Sequence, residues 1–305
     1  MLALSIALGL LAAALAVWII QGERRHTKTR SRLRQAEQRD RETLIITRAW
    51  GSALIMDRLR AAQPPPGAPA ALFKAVEGED LVLFLLFSPP DAPLRTSGFY
   101  IECGAFDGVR RSVTHIFDAC GWDGLLIEPL PHLADACRRS RPRARVVHAA
   151  LGPPGSAESV DFLHVPDDES GSQAPEFSSR PLPRDKNRRG GMNIIRVPCM
   201  TMDQVLADHT GPIDLLVLDV ESAELAVLQG FDLERRQPAV LLIEDNTLGA
   251  DTRLLEYVCA RGYEHAAWLS NNRLFIHGAQ KVLLERRIAM QLSHHRHRTS
   301  RDGLA

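Results

Sequence analysis

An acidic residue stands at the end of a strand-like segment and directly before a glycine turn. The segment FYIEC ends at Cys103, and Glu102 precedes Gly104 and Gly108 in the stretch ECGAFDG. A carboxylate at the end of a buried strand is costly to desolvate unless a partner hydrogen-bonds to it. The glycines allow a tight turn and a close approach of the backbone to a ligand. The pattern predicts a bound cofactor with an ammonium or sulfonium group, because the acid would repel a phosphate.

A second acid, Glu128, ends the next strand-like segment, GLLIEP. It follows Gly108 at the spacing of about 20 residues at which an acid hydrogen-bonds ribose hydroxyls in nucleoside-binding sheets. The turn contains G-x-x-x-G and not G-x-G-x-x-G, which argues against a pyrophosphate site and against an NAD-dependent dehydrogenase. Together these features predict S-adenosylmethionine as the cofactor. The alternative for Glu128 is an acid that caps the following helix.

The segments that must position these acids alternate between strands and helices. Apolar runs predict strands at FYIEC, GLLIEP, ARVVHAAL, IDLLVLDV, AVLLIEDN and NRLFIHG, and the predicted helices between them cover residues 112–120, 133–139, 222–230 and 252–263. This alternation predicts a doubly wound parallel sheet. Continuous apolar strands indicate burial on both faces, and ligands of such sheets bind beyond the carboxyl ends of the strands.

Residues 152–193 interrupt the alternation with a stretch rich in Pro, Gly, Ser and charged side chains. Within it, SVDFLHV has the composition of a strand, and the remainder is typical of a mobile loop. Loops of this length inside a domain are usually lids or disordered. We expect this insert and the flank before Gly98 to form the pocket for the methyl acceptor.

Four segments resemble the FkbM-type methyltransferases and occur in the order found in that family. They are FYIECGAFDGVRRSVTHIF, GWDGLLIEPLP, RVPCMTMDQVL and IDLLVLDVESAELAVLQGF, and the resemblance covers residues 98–277. It implies an α/β class I methyltransferase fold, which is a Rossmann-like doubly wound sheet of seven strands with the last antiparallel. It also implies an enzyme that methylates a hydroxyl oxygen of a sugar, a glycolipid or a related metabolite.

The resemblance extends to individual positions. Glu102 takes the acid position of the first motif, where Asp is usual, while Phe106 stands where Asn or His is common and Ser222 where Gly is usual. The predicted cofactor-binding residues are Glu102, Gly104, Ala105, Asp107, Gly108, Glu128, Pro129, Ala149 and Asp219. The departures at Phe106 and Ser222 keep open an alternative, a catalytically inactive methyltransferase fold that serves as a membrane-bound binding or trafficking partner.

Methyl transfer to a hydroxyl requires a group that accepts its proton or a metal that lowers its pKa. Asp219 and the segment Glu244-Asp245-Asn246 end two strands, which resembles the Asp…Asp-Asn magnesium site of catechol-type O-methyltransferases, and oxygen ligands suit Mg²⁺. We therefore predict a metal site of Asp219, Asp245 and Asn246. The catalytic candidates are Asp219, Glu221 and Asp245. The alternative is that Asn246 caps the next helix and Glu244 orders a loop.

Other polar residues have both a structural and a functional interpretation. Glu224 either caps its helix or contacts the ligand. His148 is either a base or a residue packed near the adenine, and Asp203 belongs to a helix start capped by Thr201 or by itself. The tail SHHRHR at 293–298 is read as a basic solvated terminus and not as a metal-binding tract.

The first twenty residues contain no charged side chain. At about 1.5 Å per residue, a helix of this length crosses a bilayer. Residues 22–41 contain eight Lys or Arg against three acids, which by the positive-inside rule places the rest of the chain in the cytoplasm. We predict a single-pass membrane anchor at 1–20. A cleaved secretion signal, with ALA at 14–16 as its cleavage site, is the alternative.

These segments define the predicted domain organisation. A basic helical stem and a Pro-rich linker cover residues 21–71, the methyltransferase domain covers 72–280, and a basic tail covers 281–305. Leu81–Phe87 is apolar but too short to span a bilayer and is predicted to be a packing helix. The zero net charge gives no sign of a nucleic-acid partner, so the predicted partners are a small-molecule, glycan or lipid-linked acceptor and the membrane. Five cysteines without a CxxC spacing fit a reducing compartment.

Overall fold

The computed structural model describes residues 73–89, 92–165, 172–178 and 193–286. The predicted anchor, stem and linker and most of the predicted tail lie outside these residues. Within the described ranges, no helix is both long enough and apolar enough to cross a membrane.

Seven strands form the main sheet of the domain. The ten strands of the described residues are β1 (Phe99–Cys103), β2 (Asp123–Ile127), β3 (Arg145–Val147), β4 (Ala150–Leu151), β5 (Ser159–His164), β6 (Asn193–Met200), β7 (Leu215–Leu218), β8 (Val240–Glu244), β9 (Tyr263–Leu269) and β10 (Asn272–His277). The order across the main sheet is β3-β2-β1-β7-β8-β10-β9. Its neighbouring strands are parallel except for β10, which runs antiparallel to β8 and β9. The predicted doubly wound sheet with an antiparallel last strand is confirmed.

Helices cover both faces of this sheet. They are α1 (Glu79–Phe87), α2 (His115–Ala119), α3 (Pro131–Ser140), α4 (Met202–Val205), α5 (Glu224–Gln229), α6 (Leu233–Arg236) and α7 (Arg253–Cys259). The predicted packing helix is confirmed as α1, whose leucine and phenylalanine side chains are almost all buried. Thr201 is the N-cap of α4 and forms a capping box with Gln204, as predicted for this helix start.

The main sheet separates two hydrophobic cores. Alternate residues of a strand point to opposite faces, so Leu215 and Val217 of β7 enter one core and Leu216 and Leu218 enter the other. The first core also contains apolar residues of α1 and α2, and the second contains those of α4, α5 and α7. Burial on both faces explains why these strands consist of continuous apolar runs.

Two sequence predictions need correction. The helix predicted to continue to Tyr263 ends at Cys259, and Tyr263 begins the unpredicted strand β9. Gly262 has φ +84°, a conformation that ends a helix readily. β9 lies at the sheet edge, and Tyr263 and Ala266 are its only buried residues, so it lacks the apolar run of a central strand. The run ARVVHAAL is also not one strand, because it divides between β3 and β4.

A small second sheet combines one strand of the insert, β5, with the strands that flank the insert, β4 and β6. Its order is β4-β6-β5, with β4 parallel to β6 and β5 antiparallel to it. The strand predicted at SVDFLHV is confirmed as β5. The short segment 172–178 joins this sheet through backbone hydrogen bonds in both directions between Leu163 and Gln173. The small sheet thereby places the described part of the insert beside the carboxyl edge of the main sheet.

Candidate functional site

A cavity of about 360 Å³ opens at the carboxyl ends of β1, β2, β7 and β8. The chain segments that follow these strands form its floor. Phe162, Ser172 and Ala174 add a wall from the insert, and Val76, Glu77 and Glu79 add another from the segment that begins α1. Both regions expected to form the acceptor pocket therefore contribute to the cavity.

Glu102 is buried and its carboxylate is occupied by the loop that follows β1, which we define as residues 104–114, the β1 loop. Its Oε1 accepts a hydrogen bond from the Val113 amide at 2.7 Å. Its Oε2 accepts from the hydroxyls of Ser112 at 2.7 Å and Thr114 at 2.6 Å. These three donors replace the water that the carboxylate loses on burial. Glu102 lines the cavity, and most of its hydrogen-bonding capacity holds the β1 loop.

Arg141 follows α3 and completes this network. It was not among the residues predicted from the sequence. Its side chain is fully buried and donates from Nη2 to Ser112 Oγ at 2.7 Å and from Nε to the Gly108 carbonyl at 2.7 Å. Because the Ser112 hydroxyl bonds to both Arg141 and Glu102, it joins two buried opposite charges. In the sequence, Arg141 lies in the basic run RRSRPR, which gives no sign that one of its members is internal.

The two glycines of the first motif are required for different reasons. Gly104 has φ +79°, and a Cβ atom there would lie 1.9 Å from the carbonyl oxygen of Asp219. Gly108 has φ +78°, and its Cβ would lie 2.7 Å from Ser140 Oγ. Gly104 therefore lets the β1 loop pass close to the end of β7 beside the cavity, whereas Gly108 lets the loop pack on α3. Of the pair, Gly104 lines the cavity.

Asp107 stabilises the turn of the β1 loop and does not form part of the cavity wall. Its Oδ1 accepts from the amides of Val109 and Arg110, and its Oδ2 pairs with Arg110 Nε at 2.6 Å. These donors hold the pKa of Asp107 below its usual value, against the opposing effect of partial burial. Asp107 is not among the described residues that line the cavity.

Glu128 lines the cavity at the end of β2 and is 4 % exposed. Its Oε2 accepts from the Phe106 amide at 2.9 Å, and its Oε1 accepts from the Leu130 amide at 2.9 Å. These bonds fix the carboxylate between the β1 loop and the start of α3. A carboxylate oxygen accepts more than one hydrogen bond, so the arrangement is compatible with the predicted contact to ribose hydroxyls.

Five acids line the opposite side of the cavity, and we call them the acidic rim: Glu77, Glu79, Asp219, Glu221 and Glu244. Asp219 hydrogen-bonds Glu244. The Asp219 side chain is open to the cavity but protein surrounds it otherwise, and this desolvation, followed by the nearby charge of Glu244, raises its pKa well above the usual value. Desolvation and the charges of Glu224 and Glu221 raise the pKa of Glu244 to about 7.

Amide side chains orient Glu244 from behind. Asn246 Nδ2 donates to its Oε2 at 2.6 Å and Asn271 Nδ2 donates to its Oε1 at 2.9 Å. From sequence, Glu244 was given no catalytic or cofactor-binding role, and the alternative to the metal site made it a residue that orders a loop. The signal for a larger role was present, because Glu244 ends a strand on the same edge as Asp219.

Glu221 and Ser222 lie on a strained turn that Glu224 holds. Their φ angles are +55° and +71°, in the left-handed region that favours glycine. Glu224 Oε1 accepts from the amides of Val220 and Ser222 and so stabilises the turn before α5. Burial raises the pKa of Glu224 to about 7. The geometry explains why glycine is the usual residue at position 222 in the family the sequence resembles.

The three residues predicted to bind magnesium do not come together. Asp245 forms a buried ion pair with Arg273, from Oδ2 to Nε at 2.7 Å, and its Oδ1 accepts from Thr247. Asn246 bonds to Glu244 and Ser222. Of the predicted ligands, Asp219 alone lines the cavity. Among the described residues, no group of three or more His, Cys, Asp or Glu side chains is arranged to hold a metal.

Most predicted cofactor residues do line the cavity. Those that do are Glu102, Gly104, Ala105, Glu128, Pro129, Ala149 and Asp219, together with the catalytic candidate Glu221. Gly108, Asp107 and Asp245 lie behind its walls. His148 hydrogen-bonds the Pro129 carbonyl at 3.0 Å and does not line the cavity.

The donor set fits a nucleoside that carries a positive charge. Glu128 offers carboxylate oxygens at one side, the constrained Gly104 permits close approach at the floor, and the acidic rim offers a favourable field for a sulfonium. Ala105, Pro129, Leu130 and Leu133 supply apolar wall on the Glu128 side. The residues present therefore fit S-adenosylmethionine.

Comparison with known proteins identifies the family of the domain. A family model described as the methyltransferase FkbM domain matches residues 102–265, which is more than half of the 305-residue chain. Among solved structures, the chain is similar to a TehB-like SAM-dependent methyltransferase from Corynebacterium glutamicum ATCC 13032 Kitasato, with 14% sequence identity and a TM-score of 0.36, over 74% of this chain and 97% of that chain. None of the curated proteins matches the chain. The family match shows that the chain belongs to the FkbM methyltransferase family, in agreement with the four motifs and the seven-stranded sheet.

Proposed function

We propose that the protein is a membrane-anchored, S-adenosylmethionine-dependent O-methyltransferase that acts on a hydroxyl of a sugar, a glycolipid or a related metabolite at the cytoplasmic face of a membrane. The observation that carries the proposal is the cavity at the carboxyl ends of β1, β2, β7 and β8, in a chain of the FkbM methyltransferase family. The anchor and its orientation rest on the sequence pattern of residues 1–41.

Bound S-adenosylmethionine would supply an electrophilic methyl group. The chain would hold its ribose at Glu128 and bring its adenosyl portion close to the backbone at Gly104. Alignment of donor and acceptor accounts for much of the rate enhancement in such displacements, because the reaction is then effectively intramolecular.

The Asp219–Glu244 pair is suited to receive the acceptor's proton. Desolvation by the surrounding protein raises the pKa of Asp219 and so favours its protonated form, in which that carboxyl can donate to Glu244. Glu244, with a pKa of about 7, is able to exchange a proton near neutral pH. Asn246 and Asn271 fix its orientation. The carboxylate and amide groups around it also match the hydrogen-bonding needs of a polyol.

The primary test is calorimetric titration of the purified full chain with S-adenosylhomocysteine, followed by transfer of labelled methyl from S-adenosylmethionine to lipid and glycan extracts of cells that lack the protein. We expect binding and the appearance of a labelled product. Binding without a labelled product would favour the alternative, an inactive member of the fold that serves as a binding partner. Absence of binding would overturn the proposed function.

Replacement of Glu128 tests the assigned ribose contact. We expect Glu128→Ala to weaken the binding of S-adenosylhomocysteine roughly tenfold or more, because the ribose hydroxyls would lose a charge-assisted partner. Glu158→Ala removes an exposed acid outside the cavity and is the matched control. Unchanged affinity in Glu128→Ala, in a protein with an intact thermal transition, would remove the assignment.

Chelation tests the metal hypothesis. Because Arg273 and Thr247 occupy the Asp245 carboxylate, we expect EDTA to leave both the affinity for S-adenosylhomocysteine and the rate of methyl transfer unchanged. A rate that falls with EDTA and recovers with Mg²⁺ would show that Asp245 leaves its ion pair to bind the metal.

A further inference from the structure

The cavity has cationic as well as acidic lining. Arg110 and Arg111 are the cationic side chains among the described residues that line it, and both are exposed members of the β1 loop. The acidic rim belongs to other segments, namely those that follow β7 and β8 and the one that begins α1. The charges of the lining are thus divided between separate parts of the chain.

The two arginines differ in what they contact. Arg110 forms an ion pair with Asp107 and lies over the Phe106 ring, with 4.6 Å between its guanidinium carbon and the ring centroid. Among the described residues, no hydrogen bond or ion pair engages the Arg111 guanidinium. Arg110 therefore has a role in the loop itself, and Arg111 keeps its five donors for something else.

The backbone of Arg111 is held in an unfavourable conformation from both sides. Its φ is +63°, in the left-handed region that a residue with a Cβ rarely adopts. On one side, the Asp107 carboxylate accepts from the amides of Val109 and Arg110. On the other, Glu102 binds Ser112 and Val113, and Arg141 binds Ser112. The buried Glu102–Ser112–Arg141 network thus fixes Arg111 at the cavity.

We propose that Arg111 binds the carboxylate of the amino-acid portion of the methyl donor. This inference rests on the proposed function. The donor is cationic at its sulfonium and ammonium groups and anionic at one carboxylate, which the acidic rim would repel. A guanidinium matches a carboxylate with two parallel hydrogen bonds. Arg111 and the acidic rim would then bind opposite charges of the same molecule, and the donor would have one orientation in the cavity.

The test compares two ligands that differ only in this group. S-adenosylhomocysteine carries the carboxylate, and its decarboxylated analogue keeps the amino group, the thioether and the nucleoside. We expect Arg111→Gln in the full chain to weaken the first ligand about tenfold, and to leave the affinity for the second within about twofold of wild type, by calorimetry. Arg111→Lys should recover part of the lost affinity, because it restores the charge without the paired hydrogen bonds.

A matched control separates this contact from net charge. Arg139→Gln removes one exposed positive charge on α3, outside the cavity lining, and should leave both affinities unchanged. Thermal unfolding of each variant establishes that it is folded before binding is measured.

The outcomes distinguish this inference from the proposed function. If wild type fails to bind S-adenosylhomocysteine, the proposed function fails and this inference fails with it. If wild type binds but Arg111→Gln retains full affinity, or loses both ligands equally, the assignment of Arg111 is overturned and the proposed function stands.

Discussion

The β1 loop and the acidic rim line the same cavity but differ in the partners of their charged side chains. In the β1 loop, the Glu102 carboxylate accepts three hydrogen bonds and is joined through Ser112 to the buried Arg141 guanidinium. In the rim, Asp219 and Glu244 bond to each other, and the neighbouring Glu221 and Glu224 add like charge. Among the described residues, a buried cation joins the network of the β1 loop, whereas the rim brings carboxyl groups of like charge together.

The difference indicates which acid mainly holds the fold and which acids mainly face the cavity. A buried carboxylate with full partners stabilises its surroundings, whereas like charges held together store unfavourable energy that a cation can relieve. From sequence, Glu102 was expected to contact the donor's cation as one of a pair with Glu128. The structure gives most of the bonding capacity of Glu102 to the β1 loop, and it gathers the like charges of the rim on the other side of the cavity.

The largest effect on the free energy of unfolding should come from replacement of Arg141, whose charge is joined to that of Glu102. Arg141→Met leaves the Glu102 carboxylate buried without its cation and should lower the free energy of unfolding by about 3–5 kcal/mol. Chemical denaturation gives this value. The double variant Arg141→Met/Glu102→Gln should recover part of the loss, because it removes the unpaired charge. A cost below about 1 kcal/mol in the single variant would mean that the two charges are not coupled through Ser112.

A smaller effect on the free energy of unfolding should come from replacement of Gly104, where the β1 loop contacts the rim residue Asp219. Gly104→Ala places a Cβ 1.9 Å from the Asp219 carbonyl, whereas Gly155 has a similar φ of +83° and nothing within 4 Å of its Cβ position. Gly155→Ala should therefore cost only the left-handed strain of about 1 kcal/mol, and Gly104→Ala about 2 kcal/mol more. Denaturation of both variants measures the difference. Equal losses would show that the loop and the rim separate at little cost.

The smallest effect concerns Glu224, whose charge acts on the rim residue Glu244, and it depends on pH. Glu224 has a folded pKa of about 7 against 4.5 for an ordinary glutamate, so the folded protein holds a proton that the unfolded chain has released between those values. Its contribution to the free energy of unfolding therefore falls as pH rises from about 4.5 to 7. Glu224→Gln keeps an acceptor for Val220 and Ser222 and removes the charge.

We expect Glu224→Gln to raise the melting temperature by about 3 °C at pH 8 and to change it little at pH 5. Glu158→Gln, at an exposed position, is the matched control and should show no such dependence on pH. A Glu224→Gln variant less stable than wild type at pH 8 would show that the folded protein compensates the charge of Glu224.

The comparison also explains what the sequence could predict. The sheet was predictable because continuous apolar strands alternate with helices, and the acids at the strand ends follow from that alternation. The strand β9 was not predictable, because it lies at the sheet edge and has no continuous apolar run. Asp245 was misplaced because sequence reveals that a carboxylate ends a strand but not which way it turns, and Arg273, its partner, comes from a different strand. Arg141 was missed for the same reason, since burial of a basic residue depends on partners distant in sequence.

The small sheet has a consequence for how this protein could diversify. The chain leaves the main sheet after β3 and returns before α4, so β4, β5 and β6 form an excursion that the order and register of the other seven strands do not require. Phe162 on this excursion faces the cavity, while Gly104 and Glu128 lie on the main sheet's own loops. Sequence changes within this excursion would thus reshape one wall of the cavity and leave the residues at the ends of β1 and β2 in place.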